Sequence, residues 1–343
     1  MRRFVIRRLL LVPIVLVGMT FMTFVISQLV PIDPAAAYLG SRGGAAPGQE
    51  EELVQQLSEK WGWDKPIFER YGIYMKNLVQ GDLGVSSTTR RPVADDLADY
   101  VPPTLELVIA AMLIAILVGI VLGVVSAARR GKLTDTAVIV VTTLGVSAPT
   151  FWLALVGFNL FYGELGWAAG AGQLSLTTVA PPKVTGLLVV DSLIAGRWDA
   201  LQDALHHLAF PALLLGLLIG LYFARVVRHE MIEVLESDYV RAAKGKGLRS
   251  STILMRHALR NAIIPLVTLS GLAFGSLLTG VVVVEYIVGW PGLGGYTFRA
   301  ATKLDLNGIT GVVLVIGIVY ITVNLIVDLL YALIDPRVRV RYG

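Results

Sequence analysis

Four ionisable side chains, Glu106, Arg225, Glu285 and Asp328, fall inside or at the ends of long apolar runs. A charge in hydrocarbon is costly, so such groups face a pathway or a partner. Glu106 and Glu285 stand near the ends of their runs, where snorkelling lowers that cost and a structural role is expected. Asp328 lies about two turns before the end of its run, suited to a hydrogen bond or ion pair within a bundle. Little else suggests catalysis. Gly131-Lys132 is followed by Leu133 and Gly245-Lys246 by Gly247, so neither is a phosphate loop, which needs Ser or Thr next. His206, His207, His229 and His257 lack ligand spacing, and there is no cysteine. The expectation is a chain without catalytic, cofactor or metal residues of its own.

The richest polar stretch lies between two apolar runs. It reads Ser237, Asp238, Tyr239, Val240, Arg241, Ala242, Ala243, Lys244, Gly245, Lys246, Gly247, Leu248 and Arg249, followed by a helical run from Ser250 to Ala262 that Pro265 closes. Ser237 or Asp238 is suited to cap a short helix. Ala242 and Ala243 offer a small, close-packing face. Gly245 and Gly247 allow a left-handed turn into a second helix capped by Ser250. Two short helices on a membrane surface are the arrangement through which a soluble partner could push on membrane spans.

The elements that position these groups follow from composition. The chain is 55% hydrophobic and 16% charged, against about 25% charged in ordinary soluble domains. Six runs approach the roughly 20 apolar residues of a membrane helix: Leu9–Val30, Thr104–Ala127, Leu133–Phe161, Leu208–Val227, Ile263–Tyr286 and Ile309–Ile334. They are continuous rather than alternating, which excludes an outer-membrane barrel. The fold class is an all-α polytopic membrane protein of six transmembrane helices. The first run, about 22 residues, exceeds the 7–15 of a cleaved signal core and reads as a retained anchor.

Basic residues set the orientation. With the N-terminus inside, Arg2, Arg3, Arg7, Arg8, Arg129, Arg130, Lys132, the polar stretch and Arg337, Arg339 and Arg341 all face the cytoplasm, while Glu50, Glu51, Glu52, Asp95, Asp96 and Asp99 face outward. Both termini are expected to be cytoplasmic. The +4 net charge tracks alternate loops instead of one face, which disfavours nucleic-acid binding. Two units emerge: residues 1–103, an anchor plus an outer segment, and 104–343, a five-span core with its cytoplasmic loop at about 228–262. Within the outer segment, Leu53, Leu57 and Trp61 recur at helical spacing, as do Ile67, Tyr71, Tyr74 and Leu78 behind Pro66.

Arg241-Ala242-Ala243-x-x-x-Gly247 resembles the EAA loop of ABC importer permeases, in the variant of peptide and nickel permeases, with Arg where the general motif has Glu. His257-Ala258-Leu259-Arg260 and Pro265 continue that likeness. Gly62 to Pro66, Gly81 to Ser86, Pro102 to Leu107, Ser147 to Ala154, Glu285 to Gly294 and Asp328 to Arg337 are similar to segments of the same permeases, so the resemblance runs nearly end to end. It implies a type I ABC importer permease core, of the B-type subunit of a dipeptide/oligopeptide importer in the cytoplasmic membrane. Residues Ser237, Asp238, Tyr239, Arg241, Ala242, Ala243, Lys244, Gly245, Gly247 and Leu248 would form its coupling helix. It also implies a second homologous permease, two ATPase subunits that carry ATP and Mg, and an extracytoplasmic peptide-binding protein. Nickel chelates or another small solute are the alternative cargo. An ion-coupled secondary transporter is the alternative class, and it would need midplane charges and paired broken helices.

Overall fold

The computed structural model describes residues 2–29 and 65–334, together with residues 55, 56, 58, 59 and 62. The helical spacing around Leu53, Leu57 and Trp61 and the basic tail from Arg337 lie outside the described residues. The elements in chain order are α1 (Arg2–Leu29), α2 (Ile67–Val79), α3 (Val93–Ala128), α4 (Leu133–Ser147), α5 (Thr150–Phe158) with a π-helical turn (Asn159–Glu164), α6 (Leu188–Ile194), α7 (Trp198–Glu236) and α8 (Asp238–Gly245). A stretch in three helical pieces follows (Ser250–Thr252, Ile253–Ala258 and Leu259–Ala262), together α9. The chain ends in α10 (Ile264–Val288), α11 (Leu293–Thr302) and α12 (Leu306–Ile334). Among the described residues the only pairing of extended backbone is an isolated bridge between Val85 and Pro92.

Among the described residues, five helices are long and apolar enough to cross a membrane: α1, α3, α7, α10 and α12. The apolar run Leu133–Phe161, read as one span, is broken into α4 and α5, which meet at 97°. The cause is local. Pro149 has no N–H and crowds the residue before it, so Ala148 takes φ −83°, ψ 134° and the helix stops there. The second long helix, α3, starts ahead of the apolar run read from Thr104. Helix α3 runs straight through Pro102 and Pro103 and begins at Val93 behind Pro92. Pro102 deprives the Ala98 carbonyl of its helical donor, and Lys183 Nζ donates to that oxygen at 3.4 Å.

The centre of the fold is the crossing of α3 and α7. Gly119 and Gly123 on α3 meet Phe223 and Val227, while Gly216 and Gly220 on α7 meet Ala111 and Ala115. A Cβ at Gly216 would lie 2.7 Å from the Ala111 carbonyl oxygen, and one at Gly119 would lie 2.5 Å from the Phe223 Cβ. This is small-residue packing at a four-residue period on both helices, which lets membrane helices approach backbone to backbone where lipid offers no hydrophobic drive. Leu107, Val108, Ala111, Ala115, Phe223, Val227 and Met231 are buried along the seam. Helix α12 packs on α10, with Tyr320 against Gly275. Met19 of α1 sits against Gly317 of α12. Tyr71 of α2 packs between Phe21 and Phe24 of α1 and donates to the Val17 carbonyl at 3.2 Å.

Candidate functional site

The polar stretch folds as a helical hairpin at the end of α7. Ser237 leaves the helix at φ −68°, ψ 153°. Its hydroxyl donates to the Val234 carbonyl at 2.5 Å, so it closes the last turn of α7 and does not take the expected capping role on α8. Asp238 supplies a first-turn carboxylate, favourable to the helix dipole, and pairs with Arg241 at 3.3 Å on an exposed surface. Val240 and Ala243 turn inward, buried against Ile253 and packed by Val234 and Leu235. Ala242 and Ala243 therefore do not share a face: Ala242 is exposed and Ala243 is core. The outward face of α8 carries Asp238, Arg241, Ala242 and Gly245, at the i, i+3, i+4 and i+7 positions.

The turn after α8 is a complete Schellman motif. Gly247 has φ +75°; its N–H donates to Lys244 O at 3.0 Å, and the Leu248 N–H donates to Ala243 O at 3.3 Å. Gly247 alone needs the left-handed region here; Gly245 is helical. Arg249, at φ −62°, ψ 139°, precedes the first helical residue, Ser250. Tyr239 ties the two arms together, its hydroxyl accepting from Asn261 Nδ2 at 2.7 Å. Lys244 and Leu248 are exposed.

A lock that sequence reasoning missed fastens α7, nine residues before Ser237, to its neighbours. Asp135, buried at the start of α4, accepts Arg228 Nε at 2.7 Å and Arg228 Nη2 at 2.9 Å. It also accepts the Ser126 hydroxyl at 2.6 Å and the Gly131 N–H at 2.9 Å. A bidentate guanidinium–carboxylate pair holds geometry well, and here it joins the ends of α3, α4 and α7. Arg130 and Glu236 pair beside it. The only sequence signal was a lone acid directly behind the basic turn Arg129-Arg130-Gly131-Lys132.

At the opposite end Glu285 is fully buried. It accepts the Thr104 hydroxyl at 2.6 Å and the Gly294 N–H at 2.6 Å, while Thr104 Oγ1 accepts the Leu293 N–H at 2.8 Å. Its carboxylate thus sits on the N-terminus of α11, where free N–H groups and the dipole favour an anion. A Cβ at Gly292 would fall 2.2 Å from Glu285 Oε1, so only glycine fits there. Trp290 Nε1 donates to the Pro103 carbonyl at 3.0 Å and closes the joint. Glu106, also buried, holds the outer loop by accepting Gln173 Nε2 at 3.0 Å and the Val189 N–H at 2.6 Å. In that loop Asp191 collects the N–H groups of Val184, Thr185 and Gly186. Burial alone would push its carboxyl up, but these donors and the Thr185 hydroxyl outweigh it and hold it below the ordinary carboxylate range. Asp328 is half-buried on α12 and has a partner of its own. Glu106 and Glu285 are thus joints of the fold, and the structure does not bring them together with Asp328 in one site.

Residues 119–340 match the family described as binding-protein-dependent transport system inner membrane component, and residues 1–108 match its N-terminal membrane-component family. The dipeptide transport system permease protein DppB of Alkalihalophilus pseudofirmus is 39% identical over 341 residues, spanning 99% of this chain and 100% of that protein. The di/tripeptide transport system permease protein DppB of Pseudomonas aeruginosa is 40% identical over 340 residues, 99% of each chain. The glutathione transport system permease protein GsiC of Escherichia coli O6:H1 is 33% identical, again over 99% of each chain. With the family matched across most of its length and its helices long enough to span a bilayer, the chain belongs to the binding-protein-dependent transport system inner membrane components.

Proposed function

We propose that this chain is the non-catalytic permease subunit of an ATP-driven importer that carries peptides across the cytoplasmic membrane. Similarity to dipeptide and di/tripeptide permeases over essentially the whole chain supports the substrate class. The observation that carries the mechanism is the α8–α9 hairpin, which is built on a buried seam, exposes a small outer face and is braced by the Asp135–Arg228 pair. In this reading α8 is the coupling helix. Its face of Asp238, Arg241, Ala242 and Gly245 seats in a groove of an ATPase subunit, and Tyr239, Ala243, Lys244, Gly247 and Leu248 shape its base and turn. Two ATPases carry ATP and Mg, a second homologous permease completes the path, and an extracytoplasmic peptide-binding protein delivers cargo to the opposite end. Counting the bent pair α4–α5 as one crossing gives six spans, an even number that supports both termini on one side, and the basic residues of the inner segments support the cytoplasmic side.

Closure of the ATPases pushes α8, and the brace at Asp135 passes that push to α3, α4 and α7 together. Reconstitution tests the reading. The isolated chain should hydrolyse no ATP, and the complex with both ATPases should hydrolyse it faster when loaded binding protein is added. Nucleotide turnover by the isolated chain, or a failure of the co-expressed chain to form a complex with the ATPases, overturns it.

A further inference from the structure

A cavity of about 380 Å³ opens at the α4–α5 break, between the bent pair, α7 and α10. Gly145, Ala148 and Thr150 line it from the break, Tyr222 from α7, and Leu272 and Ser276 from α10; none of the lining residues is charged. It sits beside the α3–α7 crossing, since Tyr222 lies two residues from Gly220, which packs on Ala115 and Val118 about two-thirds of the way along α3. Thr150, Tyr222 and Ser276 bring hydroxyls to a lining that is otherwise apolar. Pro149 has no N–H, so the carbonyl of Gly145, one of the lining residues, lacks the donor that a continuous helix would supply. Tyr222 and Ser276 are exposed on the same hollow. Broken backbone at membrane depth is tolerated only where protein buries it or water reaches it. One turn further along α7, about 4.5 Å nearer the α8 end, Arg225 is exposed, with its guanidinium carbon 5.9 Å from the Tyr222 ring centroid. An arginine within a membrane helix is costly and marks a pathway more often than a packing site.

We propose that this cavity is this chain's share of the solute path, and that Arg225 at its mouth receives the carboxylate of the passing peptide. This rests on the peptide-import reading above. The chemistry matches in both parts. A peptide backbone presents neutral amides, suited to hydroxyls and a free carbonyl, and one carboxylate, suited to a planar guanidinium. The Tyr222 ring holds that guanidinium by a cation–π contact. An uncharged lining grips weakly, and passage requires that the solute be able to leave.

The chain contains no native cysteine, which makes the test direct. In the complete transporter in nanodiscs, Thr150→Cys and Ser276→Cys should react with charged, membrane-impermeant thiosulfonates at least tenfold faster than Leu113→Cys, an exposed position on α3. Arg225 raises the local concentration of anions. In the Ser276→Cys background, Arg225→Gln should therefore lower the ratio of anionic to cationic reagent rates about fivefold or more, while Arg225→Lys retains it. Saturating dipeptide with binding protein and ATP should slow labelling. Unreactive cysteines alongside intact peptide uptake would mean that lipid or a partner helix fills the cavity, overturning the path while leaving the import reading standing. Reactive cysteines with an unchanged reagent ratio in Arg225→Gln would remove the carboxylate role, with Arg225 a snorkelling residue. Reactive cysteines protected by another solute but by no peptide would leave the path standing and overturn its peptide cargo.

Discussion

Thr104 and Glu285, 181 residues apart in sequence, meet at 2.6 Å in the interior, and between them they accept the first two N–H groups of α11. Removing the carboxylate strands a buried hydroxyl and a buried N–H, each costing about 1–3 kcal/mol. Glu285→Ala should lower the melting midpoint of the detergent-purified complex by several degrees, and Gly292→Ala should do the same by steric conflict. Glu285→Gln keeps an acceptor and should cost less. Equal midpoints for wild type and Glu285→Ala would show that the joint contributes nothing.

Coupling should separate Ala242 from its neighbour. Ala242→Trp adds bulk to the outward face of α8, so transport and stimulated ATP hydrolysis should fall at least tenfold with an unchanged melting midpoint. Ala243→Arg forces a charge between Val240 and Ile253 and should destabilise the hairpin itself, as should Gly247→Val, because a β-branched residue resists φ +75°. Full uptake by Ala242→Trp would remove α8 from the ATPase contact.

Acid should loosen the outer loop through Asp191. Its folded carboxyl titrates below the unfolded value of about 3.9, so its contribution is complete above that value and is lost as pH falls through the folded one. Protection of the Val184, Thr185 and Gly186 amides from hydrogen exchange, normalised for intrinsic rates, should hold from neutral pH down to about 5 and collapse below about 3.9. Asp191→Asn should weaken it at every pH. Protection that rises on acidification would contradict this assignment.

Orientation is open to labelling in intact cells. Cysteines at Ser87 and at the exposed Ile194 should react with an impermeant reagent from outside, whereas those at Lys246 and Ser250 should not. The neighbouring Ser192 is buried and would be a poor reporter. Outside labelling at Ser250 would invert the topology.

The spans were legible because an apolar run of about 20 residues is long enough to cross a bilayer and too greasy for a soluble surface. Their interruptions were not. Pro149 sits within an apolar run, and proline is tolerated in membrane helices, so composition gave no sign that the chain turns by 97° there. The apolar run was read from Thr104, yet the helix starts behind Pro92 and runs on through Pro102 and Pro103, and a lysine from a distant loop takes up the freed carbonyl. The hairpin was readable in outline from its glycines. Which alanine faces inward depended on Ile253, ten residues beyond Ala243, and no local pattern revealed it. Asp135 escaped notice because its partner, Arg228, is 93 residues away and looked like one more topological charge.

The paired glycine seam has a mechanical consequence. Helices α3 and α7 hold 36 and 39 residues, so each is about 54–58 Å long at 1.5 Å per residue, nearly twice a hydrocarbon core of about 30 Å. Pressed together without side chains to slide over, they behave as one strut that projects from both surfaces. A tilt of about 10° over that length carries the far tip roughly 10 Å. A modest shove on one side of the bilayer thereby becomes a wide swing on the other, with no need for any helix to bend.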